Sequence, residues 1–291
     1  MVTPDVAGLS RAAESLREWQ VDRAPMQLHP GDLGFHWRDG AERTAADLRV
    51  WSRGERVVAI GLLDAPQLLR MAVAPDLQSD DEIIERVLTD IEAPERGVLD
   101  AGTAVVEARC GPLLAQGLLE RGWEYDEPWT PLHLDLTDPV PRCGPRVETT
   151  GPDGAALWTE IHWSAFRGTT MTDADRRTAV ERWQNMAASP PYADARCLTA
   201  FGEDGEAVAV AGVWSSGRGR PGLLEPIGVR PEHRGRGHGR AITLAAAAAL
   251  REMGASSATV CTPSANVGAV AAYASAGFER SPDARDLRRA E

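Results

Sequence analysis

The feature that most constrains this chain is that its two halves follow one plan. Gly54-Glu55 precedes the run Arg56-Val57-Val58-Ala59-Ile60-Gly61, and Gly205-Glu206 precedes Ala207-Val208-Ala209-Val210-Ala211-Gly212. Met71-Ala72-Val73-Ala74-Pro75 is matched by Ile227-Gly228-Val229-Arg230-Pro231. Gly122-Trp123 is matched by Gly277-Phe278, 49 residues after Val73 and 48 after Val229. Ordered matches at near-constant spacing mark a repeated unit. A chain of 291 residues accommodates two such units of ordinary domain size. We place the first at residues 1–138, a linker punctuated by proline and glycine at 139–145, and the second at 146–291.

Each unit reads as mixed α/β. In the second, a strand over 146–150 is followed by helices near 153–166 and 172–188 and a β-meander from about 197 to 230. The stretch 240–254, rich in alanine and closed by Gly254, predicts a helix, and 256–262 predicts a short buried strand. The chain begins with an amphipathic helix carrying Val6, Leu9, Ala13, Leu16 and Trp19 at helical spacing.

Between the meander and the alanine-rich helix lies Arg234-Gly235-Arg236-Gly237-His238-Gly239-Arg240. Three glycines leave the backbone bare where a strand gives way to a helix, so several N–H groups can face one anion. Arg234 and Arg236 add charge and paired donors suited to phosphate. A P-loop is excluded, because Gly239 is followed by Arg240-Ala241 and not by Lys-Ser or Lys-Thr. A dinucleotide fingerprint fits poorly, because Gly235 stands six residues beyond Val229.

A second motif follows in order: Asn266, Ala269, Tyr273 and Gly277-Phe278 in the pattern N-x-x-A-x-x-x-Y-x-x-x-G-F. Together, R-x-x-G-x-G after a V-x-P strand end and this downstream pattern resemble the GCN5-related N-acetyltransferases (GNATs). The resemblance covers about 146–280. With the internal repeat, it implies two tandem GNAT folds of the mycothiol synthase type, each a mixed, mostly antiparallel twisted sheet flanked by helices.

The resemblance also implies roles. Acetyl-CoA would be the co-substrate, with the backbone around Arg234, Gly235, Arg236, Gly237, His238, Gly239 and Arg240 cradling its pyrophosphate. Ile227, Gly228 and Val229 would pair with the pantetheine arm, the Val229 N–H polarising the thioester carbonyl. Asn266 would hydrogen-bond the arm. Tyr273, a phenol protonated at neutral pH, would serve as general acid to the departing thiolate. Glu225 is the candidate base: strand alternation puts Leu223, Glu225, Ile227 and Val229 on one face, and a carboxylate in an apolar strand needs a reason. That reason is proton transfer, a salt bridge to a structural arginine, or the binding of a cationic substrate. His162 is the second candidate base.

The first copy lacks this equipment. Where the second has His233 to Gly239, it has Leu77-Gln78-Ser79-Asp80-Asp81-Glu82-Ile83, whose carboxylates would repel a pyrophosphate but suit a helix N-terminus. Leu118 stands for Tyr273, Leu69 for Glu225 and Gly111 for Asn266. Its expected role is structural.

The function that follows is acetyl transfer to a primary amine of a small molecule by direct attack. An acyl-CoA-binding scaffold and a protein or peptide N-acetyltransferase are the other classes. Trp158, His162, Trp163, Phe166, Asp173, Asp175, Glu181 and Trp183 fall where the fold usually walls its acceptor; aromatics beside carboxylates could hold an ammonium, but aromatics on amphipathic helices are mostly core. A net charge of −12 argues against a nucleic-acid partner. No apolar run is long enough to span a membrane, and the N-terminus lacks a secretory pattern. Cys110, Cys143, Cys197 and Cys261 are scattered, as free thiols of a cytoplasmic protein would be. The histidine spacing suggests no metal. All 31 basic residues are arginine. A monomer with an internal pseudo-dimer, or a homodimer, is expected. The polar tail after Phe278 leaves open whether the last strand of the second sheet is truncated or comes from the other unit.

Overall fold

The computed structural model describes residues 1–141, 144 and 146–290. Arg142, Cys143 and Pro145, and so part of the expected linker, lie outside the described residues, as does Glu291.

The first half contains α1 (Gly8–Glu18), α2 (Pro30–His36), α3 (Ala41–Asp47), β1 (Leu48–Arg53), β2 (Arg56–Ala65), β3 (Leu68–Val73), α4 (Asp81–Glu92), β4 (Ala104–Glu107), α5 (Pro112–Glu120) and β5 (Glu124–Asp135). The second contains β6 (Arg146–Thr149), α6 (Ala155–Arg167), α7 (Asp173–Ala187), β7 (Ala195–Phe201), β8 (Ala207–Trp214), β9 (Gly222–Val229), α8 (His238–Glu252), β10 (Ser257–Pro263), α9 (Val267–Ser275), β11 (Glu279–Arg280) and β12 (Ala284–Arg289). The elements read from the sequence of the second half are all present, within two or three residues at their ends.

The repeat extends to single hydrogen bonds. Ala59 faces Val73 across β2 and β3, and Ala209 faces Val229 across β8 and β9. The Ala74 N–H donates to Val58 O at 3.0 Å, and the Arg230 N–H donates to Val208 O at 3.0 Å. After α5 and α9 the chain turns through Gly122 (φ +85°) and Gly277 (φ +93°), a conformation that only glycine adopts freely. The Trp123 N–H then donates to Leu118 O, and the Phe278 N–H to Tyr273 O, each at 3.1 Å.

The two halves share one sheet, because each gives its last strand to the other. The strand order is β1-β2-β3-β4-β12-β5-β10-β9-β8-β7-β6. From the first half, β5 pairs with β10 over Trp129–Asp135, and β12 of the second pairs with β4 through Ala104–Val106. The second sheet is thus completed by the first half's strand, while its own polar tail forms β12. An exposed edge is avoided on both sides. The exchange is pinned by Arg109, whose Nε and NH2 each donate to the Asp286 carboxylate at 2.8 Å.

The core of the first half gathers Leu9, Leu16, Trp51, Ile60, Met71 and Leu118, and also takes in Leu287 of β12. The second half has two clusters, one on each side of its sheet. One packs Ile242, Leu250 and Tyr273 of α8 and α9 over the strands. The other packs Trp158, Ile161 and Trp183 of α6 and α7 against Trp214 and Leu223. Helix α2 crosses to the second half, and a Cβ at Gly31 or Gly34 would lie 2.4 or 2.2 Å from the Trp214 side chain.

Candidate active site

Strands β9 and β10 run parallel but pair only at Gly222–Ala258 and Leu223–Thr259. Beyond Leu223 they part, and the edge of β9 is left without a partner strand. Which groups face the gap follows from the pleat. The Arg230 N–H points at β8, so Gly228 does too, and the N–H groups of Ile227 and Val229 point the other way, into the gap. The strand from Ile227 to Val229 therefore presents two N–H donors to the gap.

At the end of this strand the loop places Gly235 (φ +73°) and Gly237 (φ +84°) in left-handed conformations, and Gly237 begins α8 without a side-chain cap. The first N–H groups of a 15-residue helix are thus left for an anion. Gly239 is needed for packing: its Cβ would lie 3.2 Å from Ala272 Cβ of α9. The loop's side chains divide by task. Arg234 donates to Val229 O (3.2 Å) and Ala165 O (2.8 Å), tying the loop to α6. Arg240 donates to Ser275 O at 2.8 Å. Arg236 is exposed. His238 faces His233, ring centroids 6.0 Å apart, and burial followed by the His233 and Arg236 charges lowers its pKa. Asn266 caps α9, its Oδ1 accepting from the Ala269 N–H at 3.2 Å.

Tyr273 lies buried in the core beneath α8, 7% exposed, its ring 6.2 Å from that of Phe278. Burial, then the Glu225 charge, then Cys261, push its pKa above the ordinary phenol value.

Glu225 corrects one expectation. Strict alternation is broken by a bulge: Val213 faces Leu224, yet Ala211 faces Ile227, so Glu225 and Pro226 stand against Gly212 alone. Gly212 permits this, since a Cβ there would lie 2.6 Å from Glu225 O. Leu223 consequently packs with Trp158 and Trp183, whereas Ile227 and Val229 pack on the α8 side. The four residues do not share a face.

The bulge turns Glu225 toward the first half. Its carboxylate is 3.6 Å from NH1 of Arg70 in β3. Arg70 also meets Asp32 at 3.0 Å and Glu107 at 3.2 Å. Burial disfavours the guanidinium charge, but these carboxylates outweigh it and hold the Arg70 pKa well above its usual value. Burial drives Asp32 the other way, up to about 8, against the pull of Arg70 and with the push of Glu225. The Asp32 Oδ1 nearest Arg70 lies outside hydrogen-bonding geometry, while its Oδ2 accepts from the His29 N–H at 2.6 Å. Reading the sequence missed Arg70, although the argument made for Glu225 applies equally to a charge inside Leu68-Leu69-Arg70-Met71-Ala72-Val73.

The other expected residues fall into two groups. Trp158, His162, Trp163, Phe166, Asp175 and Trp183 line one cavity between α6, α7 and the first half; Asp173 and Glu181 do not. Asp175 is engaged at the start of α7, its Oδ2 accepting from the Thr172 hydroxyl at 2.6 Å. Burial and three arginines lower the His162 pKa to about 4, so His162 is too weak a base to deprotonate an ammonium effectively. Cys261 is pushed up to about 11 by burial and is a thiol at neutral pH.

The first half has the corresponding gap, filled by its own chain. Strands β3 and β4 pair only from Leu68 to Arg70. Val73, the counterpart of Val229, donates its N–H to Gln27 Oε1 at 3.1 Å, and its carbonyl accepts from Gln78 Nε2 at 3.3 Å. Met71 O accepts from the Leu28 N–H at 3.1 Å. The acidic run Asp80-Asp81-Glu82 opens α4, with Asp80 accepting from the Ile83 N–H and from Arg53.

Residues 156–278 match the acetyltransferase (GNAT) family. No curated protein matches the chain. Among solved structures, a tandem GNAT protein from the clavulanic acid biosynthesis pathway superposes with a TM-score of 0.64 at 18% identity, covering 98% of this chain and 94% of that one. A GNAT-family acetyltransferase from Colwellia psychrerythraea gives 0.60 at 12% identity, over 98% and 96%. A GCN5-related N-acetyltransferase from Sphaerobacter thermophilus gives 0.58 at 18% identity, over 99% and 94%. At these identities the likeness is one of fold, and it extends over both halves.

Proposed function

We propose that this chain, whose residues 156–278 form a GNAT acetyltransferase domain, moves an acetyl group from acetyl-CoA to a primary amine of a small molecule by direct attack. The observation that carries this reading is the unpaired edge of β9. Donors at Ile227 and Val229 face a gap that ends at an uncapped helix N-terminus flanked by two left-handed glycines. A long chain ending in a pyrophosphate fits that arrangement of groups.

The residues around the gap divide the chemistry. The Val229 N–H faces where the thioester carbonyl would lie, a donor fixed in advance by the β8 ladder. Glu225, directly or through a water, accepts the proton that the attacking amine loses, with Arg70 holding the carboxylate in place. Tyr273 carries its proton across the neutral range and gives it to the departing thiolate. A protonated Cys261 offers no nucleophile for a covalent route.

Calorimetric titration of acetyl-CoA, repeated on Arg236→Glu, tests the reading. One site per chain, weakened at least tenfold in the variant, is expected, followed by thiol release with small amines. Absence of binding would remove the acetyltransferase reading, and two sites would contradict the filled gap of the first half.

A further inference from the structure

Helices α6 and α7, with the first-half segment around Phe35 and Arg38, enclose a cavity of about 250 Å³. It lies beside β9: a Cβ at Gly228 would touch Ala165 and Phe166 of α6. Its wall is flat and apolar, with Trp158 stacked on His162 at 5.3 Å between centroids and 9° between planes. Its lining is rich in donor-bearing side chains: the guanidinium groups of Arg38, Arg167 and Arg182 and the indoles of Trp158, Trp163 and Trp183.

Charge points the same way. Arg38, Arg167 and Arg182 all line the cavity. Of the nearby carboxylates, Asp175 is held by Thr172, and Asp39 is shared between Arg182 NH2 at 2.7 Å and Arg38 Nε at 3.6 Å. Among the residues that line the cavity, three guanidinium groups thus face one carboxylate, Asp175, which is already engaged. Burial and then Arg182 lower the Arg38 pKa, and burial followed by Arg38, Arg167 and Arg182 lowers that of His162. The ammonium pocket suggested by the sequence has the opposite polarity.

We propose that this cavity binds a carboxylate carried by the acceptor, so that the acceptor is a small amine bearing a carboxylate on a flat aromatic or cyclic body. The volume sets the size: a cavity of about 150 Å³ accepts benzene, so this one holds a ring and a short arm. A Cβ at Gly228 would touch Ala165 and Phe166, which puts the cavity beside β9, the strand that carries Glu225. The amine part of the proposal rests on the acetyl-transfer reading; the carboxylate part does not.

The test has two arms. In the first, benzoate and methyl benzoate are titrated into the full chain without acetyl-CoA. Benzoate binds at least tenfold more tightly, and the preference falls below threefold in Arg38→Gln and in Arg182→Gln, each of which removes one positive charge and keeps a polar side chain. Unchanged acetyl-CoA affinity shows that each variant is folded. In the second, thiol release is compared for 4-(aminomethyl)benzoate and 4-methylbenzylamine, with at least a tenfold higher kcat/KM expected for the carboxylate. Equal binding of benzoate and its ester overturns the proposal. Turnover of both amines with no carboxylate preference also overturns it while leaving acetyl transfer intact. Benzoate preference without thiol release from any amine supports the cavity and removes the acetyl-transfer reading.

Discussion

Replacing Arg70 by Met tests the join between the halves. The guanidinium sits within 3.0–3.6 Å of Asp32, Glu107 and Glu225, and its side chain is 15% exposed. Breaking a buried ion pair by removing one partner costs about 3–5 kcal/mol, because the other charge is left uncompensated. For a chain of this size, at about 2 °C per kcal/mol, the Tm should fall by roughly 6–10 °C. The loss should also depend on pH. Without Arg70, the Asp32 carboxyl, already raised by burial, loses the cation that lowers it and is raised further above its unfolded value. The native state then binds more protons than the unfolded one, and stability falls as pH rises through that interval. The deficit must therefore be larger at pH 8 than at pH 5.

Thermal unfolding of wild type, Arg70→Met and Arg70→Lys at both pH values measures this. Lys restores the charge without the planar fork, so its deficit should be intermediate. Under the proposed mechanism, kcat falls at least tenfold in Arg70→Met, because Glu225 loses its anchor. A deficit that is the same at pH 5 and pH 8 would mean that Arg70 acts by packing alone. A Tm within about 2 °C of wild type at pH 8 would remove the charge cluster from the account of stability altogether.

Tyr273→Phe should lower kcat by about 10²–10⁴ with little change in acetyl-CoA affinity or Tm, since only the phenol proton is lost; unaltered turnover would exclude Tyr273 as the acid. Asp32, with its folded pKa raised to about 8, binds a proton more readily in the native state than unfolded. Its contribution to wild-type stability therefore declines between about pH 4 and pH 8, and Asp32→Asn should flatten the Tm profile over that window; parallel profiles would contradict the assigned direction. The reciprocal exchange of β5 and β12 should make the two halves unfold together, in one calorimetric transition with matching van't Hoff and calorimetric enthalpies. Two resolved transitions would show that the shared sheet does not couple them.

What the sequence disclosed and what it withheld divide along a physical line. Features encoded by neighbouring residues were legible. The three glycines from Gly235 to Gly239 announced a bare backbone between strand and helix, where Gly235 and Gly237 take positive φ; the alanine run announced α8; and the ordered spacing of Asn266, Tyr273 and Gly277 marked the second motif. The degeneracy of the first copy was legible too, because a missing glycine or a leucine in place of tyrosine is a local fact. Its plug was not: Gln27 lies 46 residues from the Val73 N–H it satisfies, and only the folded chain brings them together.

The same distance explains the rest. The phase of Glu225 was misjudged because a bulge depends on the partner strand, and the decisive residue, Gly212, belongs to β8. Arg70 and Arg38 were overlooked because each looked like an ordinary arginine of a half that carries no cofactor loop. Yet the first half supplies the cation beside Glu225, one arginine of the cavity between α6 and α7, and the strand that completes the second sheet. Under the proposed function, the β3 and α2 surfaces of the first half form part of the active site's wall, and substrate choice can be altered there without touching the proposed acetyl-CoA groove.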